Sequence, residues 1–332
     1  PIDGHDIDSM VRFFEFAKES DEPIVLHLIT EKGKGYPEAQ KEPEKWHGAG
    51  PFDSKTGKSI GSSESKPKKF QDVFGETLCE LAHQNDSIIG ITAAMPSGTG
   101  MDKLGQNFPD RFFDVGIAEE HAVLMAAGMA SKGFIPICAI YSTFLQRAYD
   151  PIIHDVCLQN LPVVFCLDRA GLSPNDGPTH HGLFDLSYLR CIPNAVVMQP
   201  RDENELREML FTSVFANSPC FIRYPRGHGT GVDLSPQPKS LEIGHAQIIT
   251  KGNDGAIWAL GNFVEEAIWL SETLKEKFDL DCTVVNARFV KPLDEKLLVQ
   301  HAKEHQFIIS MEDNVLNGGF GSAMLEKLQE NK

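Results

Sequence analysis

Cationic residues are scarce: 31 Lys and Arg stand against 47 Asp and Glu in 332 residues, a formal charge of −16. A chain this acidic has no general attraction for nucleic acid or anionic lipid, so any phosphate it binds is met by a few local cations. No apolar run reaches the roughly 18 residues of a membrane span. The first residues, Pro1-Ile2-Asp3-Gly4-His5-Asp6, lack the basic and apolar regions of a signal peptide. None of the seven cysteines, at 79, 138, 157, 166, 191, 220 and 282, forms a Cys-x-x-Cys pair, and most sit in apolar runs such as Val163-Val164-Phe165-Cys166-Leu167. They read as buried thiols in a reducing compartment. The expectation is a soluble, cytoplasmic protein with neither a nucleic-acid nor a membrane partner. The missing initial Met fits a processed, engineered or partial chain.

What is present is ordinary globular composition, with 41% hydrophobic and 23% charged residues, 28 Gly and 20 Pro. Collagenous, low-complexity and largely disordered classes are excluded, and at about 150 residues per domain the length suits two domains. Residues 6–20 show helical periodicity, and residues 23–30 form an apolar run of buried-strand length. Residues 31–67 are rich in Gly, Lys, Glu, Pro and Ser and read as a long loop or linker, with a domain boundary near 62–69. From residue 68 helices and strands alternate. The pattern predicts helices over 68–84, 118–132, 143–160 and 202–217, and strands over 87–92, 111–115, 134–140, 163–167, 195–198 and 220–223. After a second linker at 233–239 the alternation resumes, with strands over 255–260, 282–286 and 307–311 and helices over 264–277, 294–304 and from about 319. Short continuous apolar strands separated by helices indicate an α/β fold with a mainly parallel sheet covered on both faces.

In open α/β sheets ligands bind beyond the carboxyl ends of the strands. The loops after Thr92, Val115, Ile140, Leu167 and Arg223 hold nearly all the chemically interesting polar residues. They include Asp114-Val115-Gly116-Ile117-Ala118-Glu119-Glu120-His121, Tyr141-Ser142-Thr143-Phe144, Asp168-Arg169-Ala170-Gly171, Asp176-Gly177-Pro178-Thr179-His180-His181-Gly182 and Arg223-Tyr224-Pro225-Arg226-Gly227. Clustering of this kind points to an enzyme site.

These segments closely resemble the 1-deoxy-D-xylulose-5-phosphate synthase family, thiamine-diphosphate enzymes of the transketolase superfamily. The resemblance runs over essentially the whole chain, from the first six residues through Lys32-Gly33-Lys34-Gly35-Tyr36, Trp46-His47-Gly48 and Tyr141-Ser142-Thr143-Phe144-Leu145-Gln146-Arg147-Ala148-Tyr149-Asp150 to Gly318-Gly319-Phe320-Gly321-Ser322. It implies a remnant of the diphosphate-binding domain over 1–66, a transketolase-like pyrimidine-binding domain over 67–234 and a smaller α/β C-terminal domain over 235–332. It implies condensation of pyruvate with glyceraldehyde 3-phosphate, release of CO₂, a homodimer, and a bacterial cytoplasmic or plastid location. The family's Gly-Asp-Gly with a downstream Asn, which holds Mg²⁺ and the diphosphate, is missing. Asn175-Asp176-Gly177 and Asn253-Asp254-Gly255 do not replace it, since neither sits between a strand and a helix with a matching Asn. No metal ligand is therefore assigned here. The expectation is a fragment shortened at both ends and inactive alone, with the Mg²⁺ ligands in the absent N-terminal domain.

By the same resemblance Glu119 is the catalytic carboxyl, bonded to a pyrimidine ring nitrogen of the cofactor, with Phe144 stacking on that ring and Ile117 beside it. This acid–base work needs a buried carboxyl able to hold a proton near neutrality. Without the resemblance, Glu119 reads as a helix-dipole partner and Phe144 as a core aromatic. Tyr141, Arg169 and Arg226 match phosphate-binding positions, a role that suits bidentate guanidinium chemistry, with exposed ion pairing as the plain alternative. His47, His180 and Asp176 match positions that handle protons and sugar hydroxyls, and imidazoles titrate near working pH. His181 matches a polar position with no catalytic role.

Two other readings stay open: the β-subunit of a 2-oxoacid dehydrogenase first component, and a noncatalytic assembly module. His301-Ala302-Lys303-Glu304-His305 fits a zinc-peptidase pattern, but no third ligand follows, and histidines at a helix end also complement its dipole. Asn317-Gly318-Gly319-Phe320-Gly321 lacks the Lys of a phosphate loop, so tight packing explains its glycines better.

Overall fold

The computed structural model describes residues 1–43, 45–60, 66–174 and 176–331. The chain divides into two units, Pro1–Ser65 and Lys66–Lys332. In the first, Asp6 caps the helix Ile7–Lys18 by accepting the Ser9 N–H at 3.0 Å. The strand expected over 23–30 shrinks to β2, Leu28–Ile29, paired in parallel with β1, Ile2–Asp3. A two-residue partner can order no more than two residues, and Val25 is left 93% exposed. The expected loop contains a short helix, Pro37–Lys41, begun by a proline whose missing N–H is not needed there. Edge-on packing of Trp46 against Tyr36 and Phe52, with centroids 5.0 and 4.5 Å apart, gathers the turns around it. Residues 61–65, at the expected boundary, lie outside the described residues.

The second unit carries a seven-stranded sheet built from β3 (Ile88–Thr92), β4 (Phe112–Asp114), β5 (Ile135–Tyr141), β6 (Val164–Asp168), β7 (Val196–Met198) and β8 (Cys220–Arg223), completed by the later β12 (Phe289–Lys291). Its order is β12-β7-β8-β6-β5-β3-β4, and every pair is parallel except β12 with β7. Side chains alternate between two cores. Ile91, Ile140, Leu167 and Phe221 pack on one face, whereas Ile88, Ala139, Cys166 and Ile222 pack on the other. Burial on both faces explains why these strands read as unbroken apolar runs. A four-stranded sheet of order β13-β10-β11-β9 follows, formed by β9 (Gln247–Thr250), β10 (Gly255–Ala259), β11 (Cys282–Asn286) and β13 (Phe307–Met311).

The helix expected over 143–160 is broken into the segments Ser142–Leu145, Gln146–Ala148, Tyr149–Pro151 and a wide turn Ile152–Cys157. Pro151 has no N–H to offer the preceding turn, and further on the bonds span five residues, as from the Leu158 N–H to the Ile153 carbonyl at 2.9 Å. Periodicity also missed the helix Asp185–Leu189 and the strands β9 and β12. All three are five residues or fewer, and both strands are held by partners distant in sequence. Five of the seven cysteines are buried as read, but Cys191 is exposed; all seven are free thiols.

Arg223, fully buried at the end of β8, clamps the unit together. Its guanidinium donates to Asp185 at 3.0 Å, to Gln199 at 2.5 Å and to Asp313, just beyond β13, at 2.6 Å. Replacing only the cation strands two buried carboxylates, so Arg223→Gln is expected to destabilise the chain by about 3–5 kcal/mol. A urea titration followed by circular dichroism checks this, and an unchanged midpoint would show that the clamp contributes nothing.

Candidate active site

The chain leaves β3 toward β4 on one side and then crosses to β5 on the other. Their carboxyl ends therefore border a crevice of the kind that holds ligands in open α/β sheets. Gly98 lies on one wall, in the short helix Pro96–Thr99, and Tyr141 ends β5 on the other. A Cβ on Gly98 would overlap the Tyr141 hydroxyl, so the close approach demands glycine.

Asp114, at the end of β4, accepts the N–H groups of Ala94 at 2.7 Å and Gly116 at 3.0 Å, tying two crevice loops together. Gly116 turns the chain with φ +73°, leaving Ile117 80% exposed, and the helix Glu119–Ala130 begins. Glu119 is only 2% exposed. Its Oε1 accepts from Arg147 Nη1 at 2.8 Å, and its Oε2 has no hydrogen-bond partner among the described residues.

From Glu119 the contacts run on without a gap. The Arg147 guanidinium lies 5.3 Å from the Phe144 ring centre, Phe144 stacks on Tyr141 at 5.7 Å, and Arg169 covers Tyr141 at 3.8 Å. Arg169, in a left-handed conformation with φ +60°, donates to Asp176 Oδ2 at 2.6 Å, and Arg226 donates to the other oxygen of the same carboxylate. His180 meets Phe144 edge-on at 5.4 Å. Seven of the residues singled out above thus form one row with Arg147. Ile117 stands two residues before it, while His47 belongs to the first unit, where it is exposed.

The loop carrying Asp176 and His180 is closed at its base by paired backbone bonds between Gly171 and Gly182, at 2.8 and 2.9 Å. His181, given no catalytic role, has a structural one: its Nδ1 accepts the Ser173 N–H at 3.0 Å. Ser173 Oγ in turn donates to Asp176 at 3.1 Å. Asn175 lies outside the described residues.

Asp168, which the motif resemblance gives no role, has an unusual environment. It is buried at the end of β6, and neither carboxyl oxygen has a hydrogen-bond partner among the described residues. Burial pushes its pKa up to about 7, against the opposing pull of the Arg169 guanidinium, the nearby Arg169 backbone N–H, which is not aligned for a good hydrogen bond, and Arg226. The sequence signal was one acidic residue closing the otherwise apolar run Val164–Asp168.

His301 is buried and accepts the Trp258 indole N–H at 3.2 Å, and burial lowers its pKa, so it does not act as a cation at the helix end. No group of three or more possible metal-ligating His, Cys, Asp or Glu occurs among the described residues. At the glycine-rich turn the Glu312 carboxylate accepts the N–H groups of Phe320 at 2.7 Å and Gly321 at 2.9 Å. That helix start is capped from within the protein, and a Cβ on Gly319 would overlap Glu312.

The transketolase pyrimidine-binding domain model matches residues 66–230, and the transketolase C-terminal domain model matches residues 244–332. The chain belongs to the transketolase family. It is 55% identical over 330 residues to 1-deoxy-D-xylulose-5-phosphate synthase of Methylacidiphilum infernorum, covering 99% of this chain and 52% of that protein. It is 54% identical over 332 residues to the Syntrophus aciditrophicus synthase, covering 100% of this chain and 51% of that protein. The chain thus spans about half the length of the curated relatives it matches. Among solved structures it resembles a split-gene transketolase described as an inactive beta4 tetramer, with TM-score 0.72 and 29% identity over 80% of this chain and 86% of that one. A transketolase from Campylobacter jejuni, at 19% identity and TM-score 0.63 over 81% of this chain and 46% of that one, shares the fold. No helix among the described residues is long and apolar enough to cross a membrane.

The raised pKa of Asp168 has a sign that can be measured. Between about 4 and 7 the native state holds a proton that the unfolded chain releases, so stability falls as pH rises through that window. Asp168→Asn removes the effect. Its melting temperature is expected to rise relative to the parent between pH 5 and pH 8, by several degrees, as a difference on the order of a few kcal/mol implies. Circular dichroism melts at the two pH values check this, and a gap that narrows toward pH 8 contradicts it.

Proposed function

We propose that this chain is the pyrimidine-binding and C-terminal part of a 1-deoxy-D-xylulose-5-phosphate synthase, which condenses pyruvate with D-glyceraldehyde 3-phosphate and releases CO₂. The product feeds isoprenoid, thiamine and pyridoxal synthesis. The reading is carried by the continuous row from buried Glu119 through Arg147, Phe144, Tyr141 and Arg169 to Asp176 and Arg226. It offers a largely buried carboxyl, an aromatic face and a cationic end in one crevice.

The residues present fit thiamine diphosphate in its ring-binding half. Glu119 is 2% exposed and keeps one oxygen without a hydrogen-bond partner among the described residues, and Phe144 offers a face for a heteroaromatic ring next to exposed Ile117. Thiamine diphosphate, when bound, supplies the carbanion chemistry that neither carboxylates nor imidazoles can. Glu119 Oε2 holds a proton toward a ring nitrogen, with Arg147 fixing the orientation of the carboxyl. Arg169 and Arg226, with the Tyr141 hydroxyl, take the phosphate of the aldehyde substrate, and Asp176 and His180 face its hydroxyls. His47, which the resemblance matches to a proton-handling position, stands in the first unit. In this reading Mg²⁺ and the diphosphate are held by residues other than those of this chain, and the working enzyme is a cytoplasmic homodimer.

In the full-length enzyme carrying this chain, Glu119→Gln is expected to lower kcat about 100-fold or more. Arg169→Gln should raise the KM for glyceraldehyde 3-phosphate at least about tenfold and leave that for pyruvate nearly unchanged. Steady-state assays of product formation read both. Near-normal turnover by Glu119→Gln would sink the assignment.

A further inference from the structure

Three buried polar groups at the adjacent ends of β6 and β8 have no hydrogen-bond partners among the described residues: both oxygens of Asp168, Nε of Arg169 and the hydroxyl of Tyr224. Buried polar groups are nearly always satisfied, so such a concentration calls for a reason. An ionised carboxylate enclosed without a direct partner is strongly disfavoured, whereas a neutral carboxyl tolerates the same enclosure.

The charged and titratable groups around Asp168 are Cys166 on its own strand, Tyr141 on β5, Arg169 and Asp176 on the following loop, and Tyr224 and Arg226 after β8. Burial pushes the Cys166 thiol and the Tyr224 hydroxyl well up and Tyr141 to about 12, so all three are neutral near pH 7. The charge of the pocket therefore depends on Asp168. Two guanidiniums against the Asp176 carboxylate leave one positive charge, and ionising Asp168 cancels it.

We propose that Asp168 is a positioning residue of the anion pocket that works as an un-ionised acid, keeping the Arg169–Arg226 pair net positive so that both guanidiniums can receive a dianionic group. This rests on the reading that these arginines hold the substrate phosphate, and it adds a proton requirement to that site. A dianion seated on Arg169 and Arg226 disfavours a negative charge below them, so binding near neutrality draws a proton from the buffer onto a carboxyl oxygen of Asp168.

Sulfate is a suitable probe because, unlike phosphate, it does not titrate near pH 7. Calorimetric titration of the full chain with sulfate at pH 7.5, in buffers of different ionisation enthalpy, is expected to show uptake of up to about three quarters of a proton per sulfate bound, the share of Asp168 that is ionised at that pH. Asp168→Asn, which preserves shape and neutrality, should bind sulfate within about twofold of the parent at pH 6.5, take up no proton and hold its affinity to pH 8.5. Over the same range the parent weakens. The inference is overturned if the parent takes up no proton, or if folded Asp168→Asn loses tenfold or more in affinity. The parent's uptake alone decides if that variant does not fold. Arg169→Gln separates the two levels of the reading: sulfate binding that survives it removes the phosphate assignment, whereas its loss beside an absent proton uptake removes only the role of Asp168.

Discussion

A carboxyl buried in the first turn of a helix needs a polar partner, and at Glu119 that is the half-exposed guanidinium of Arg147. This pair anchors the site. It ties the first turn of the helix Glu119–Ala130 to the segment after β5, and through Phe144 and Tyr141 it reaches the cationic end at Arg169 and Arg226. The aromatic rings stand between the two charged ends of this row and contact both arginines without neutralising them.

The frame that holds this row belongs to the whole second unit. Arg223 joins β8, the helix Asp185–Leu189 and the segment after β13 through one guanidinium. A second buried carboxylate, Glu205, accepts from Asn286 at 2.9 Å and Arg288 at 2.6 Å. β12 completes the union by leaving the later sheet to pair with β7. Paired charges of this kind add little net stability, but they fix relative position, because each alternative packing strands a charge. The Gly171 position reports the same closeness: a Cβ there would overlap Asp313.

The strands were legible because burial on both faces leaves an unbroken apolar run, and β3, β5, β6, β8, β10, β11 and β13 lie within a residue or two of where the pattern put them. Elements whose stability comes from a distant partner left no such mark. β9 and β12 are recruited by neighbours, the run over 23–30 found almost none, and the helix after Tyr141 follows Pro151 rather than its apolar spacing. Of the site, residue types and motif resemblance marked Glu119, Phe144, Tyr141, Arg169, Asp176, His180 and Arg226. Asp168, Gly98 and the loop-pinning His181 were not distinguished, since their importance lies in what surrounds them: an enclosure without partners, a hydroxyl at van der Waals range and a backbone N–H across a loop.

By itself, the sequence determined the α/β alternation, the loops that carry chemistry and the residue types available to them, because hydrophobic periodicity and turn chemistry are local properties of a chain. Only the tertiary structure decided which of those groups are desolvated and which face one another. Glu119 and Asp168 are both acidic residues at the ends of their elements; one meets a guanidinium, whereas neither oxygen of the other has a side-chain hydrogen-bond partner among the described residues. Burial and charge pairing arise between segments far apart in sequence, and they set the chemistry of each carboxyl.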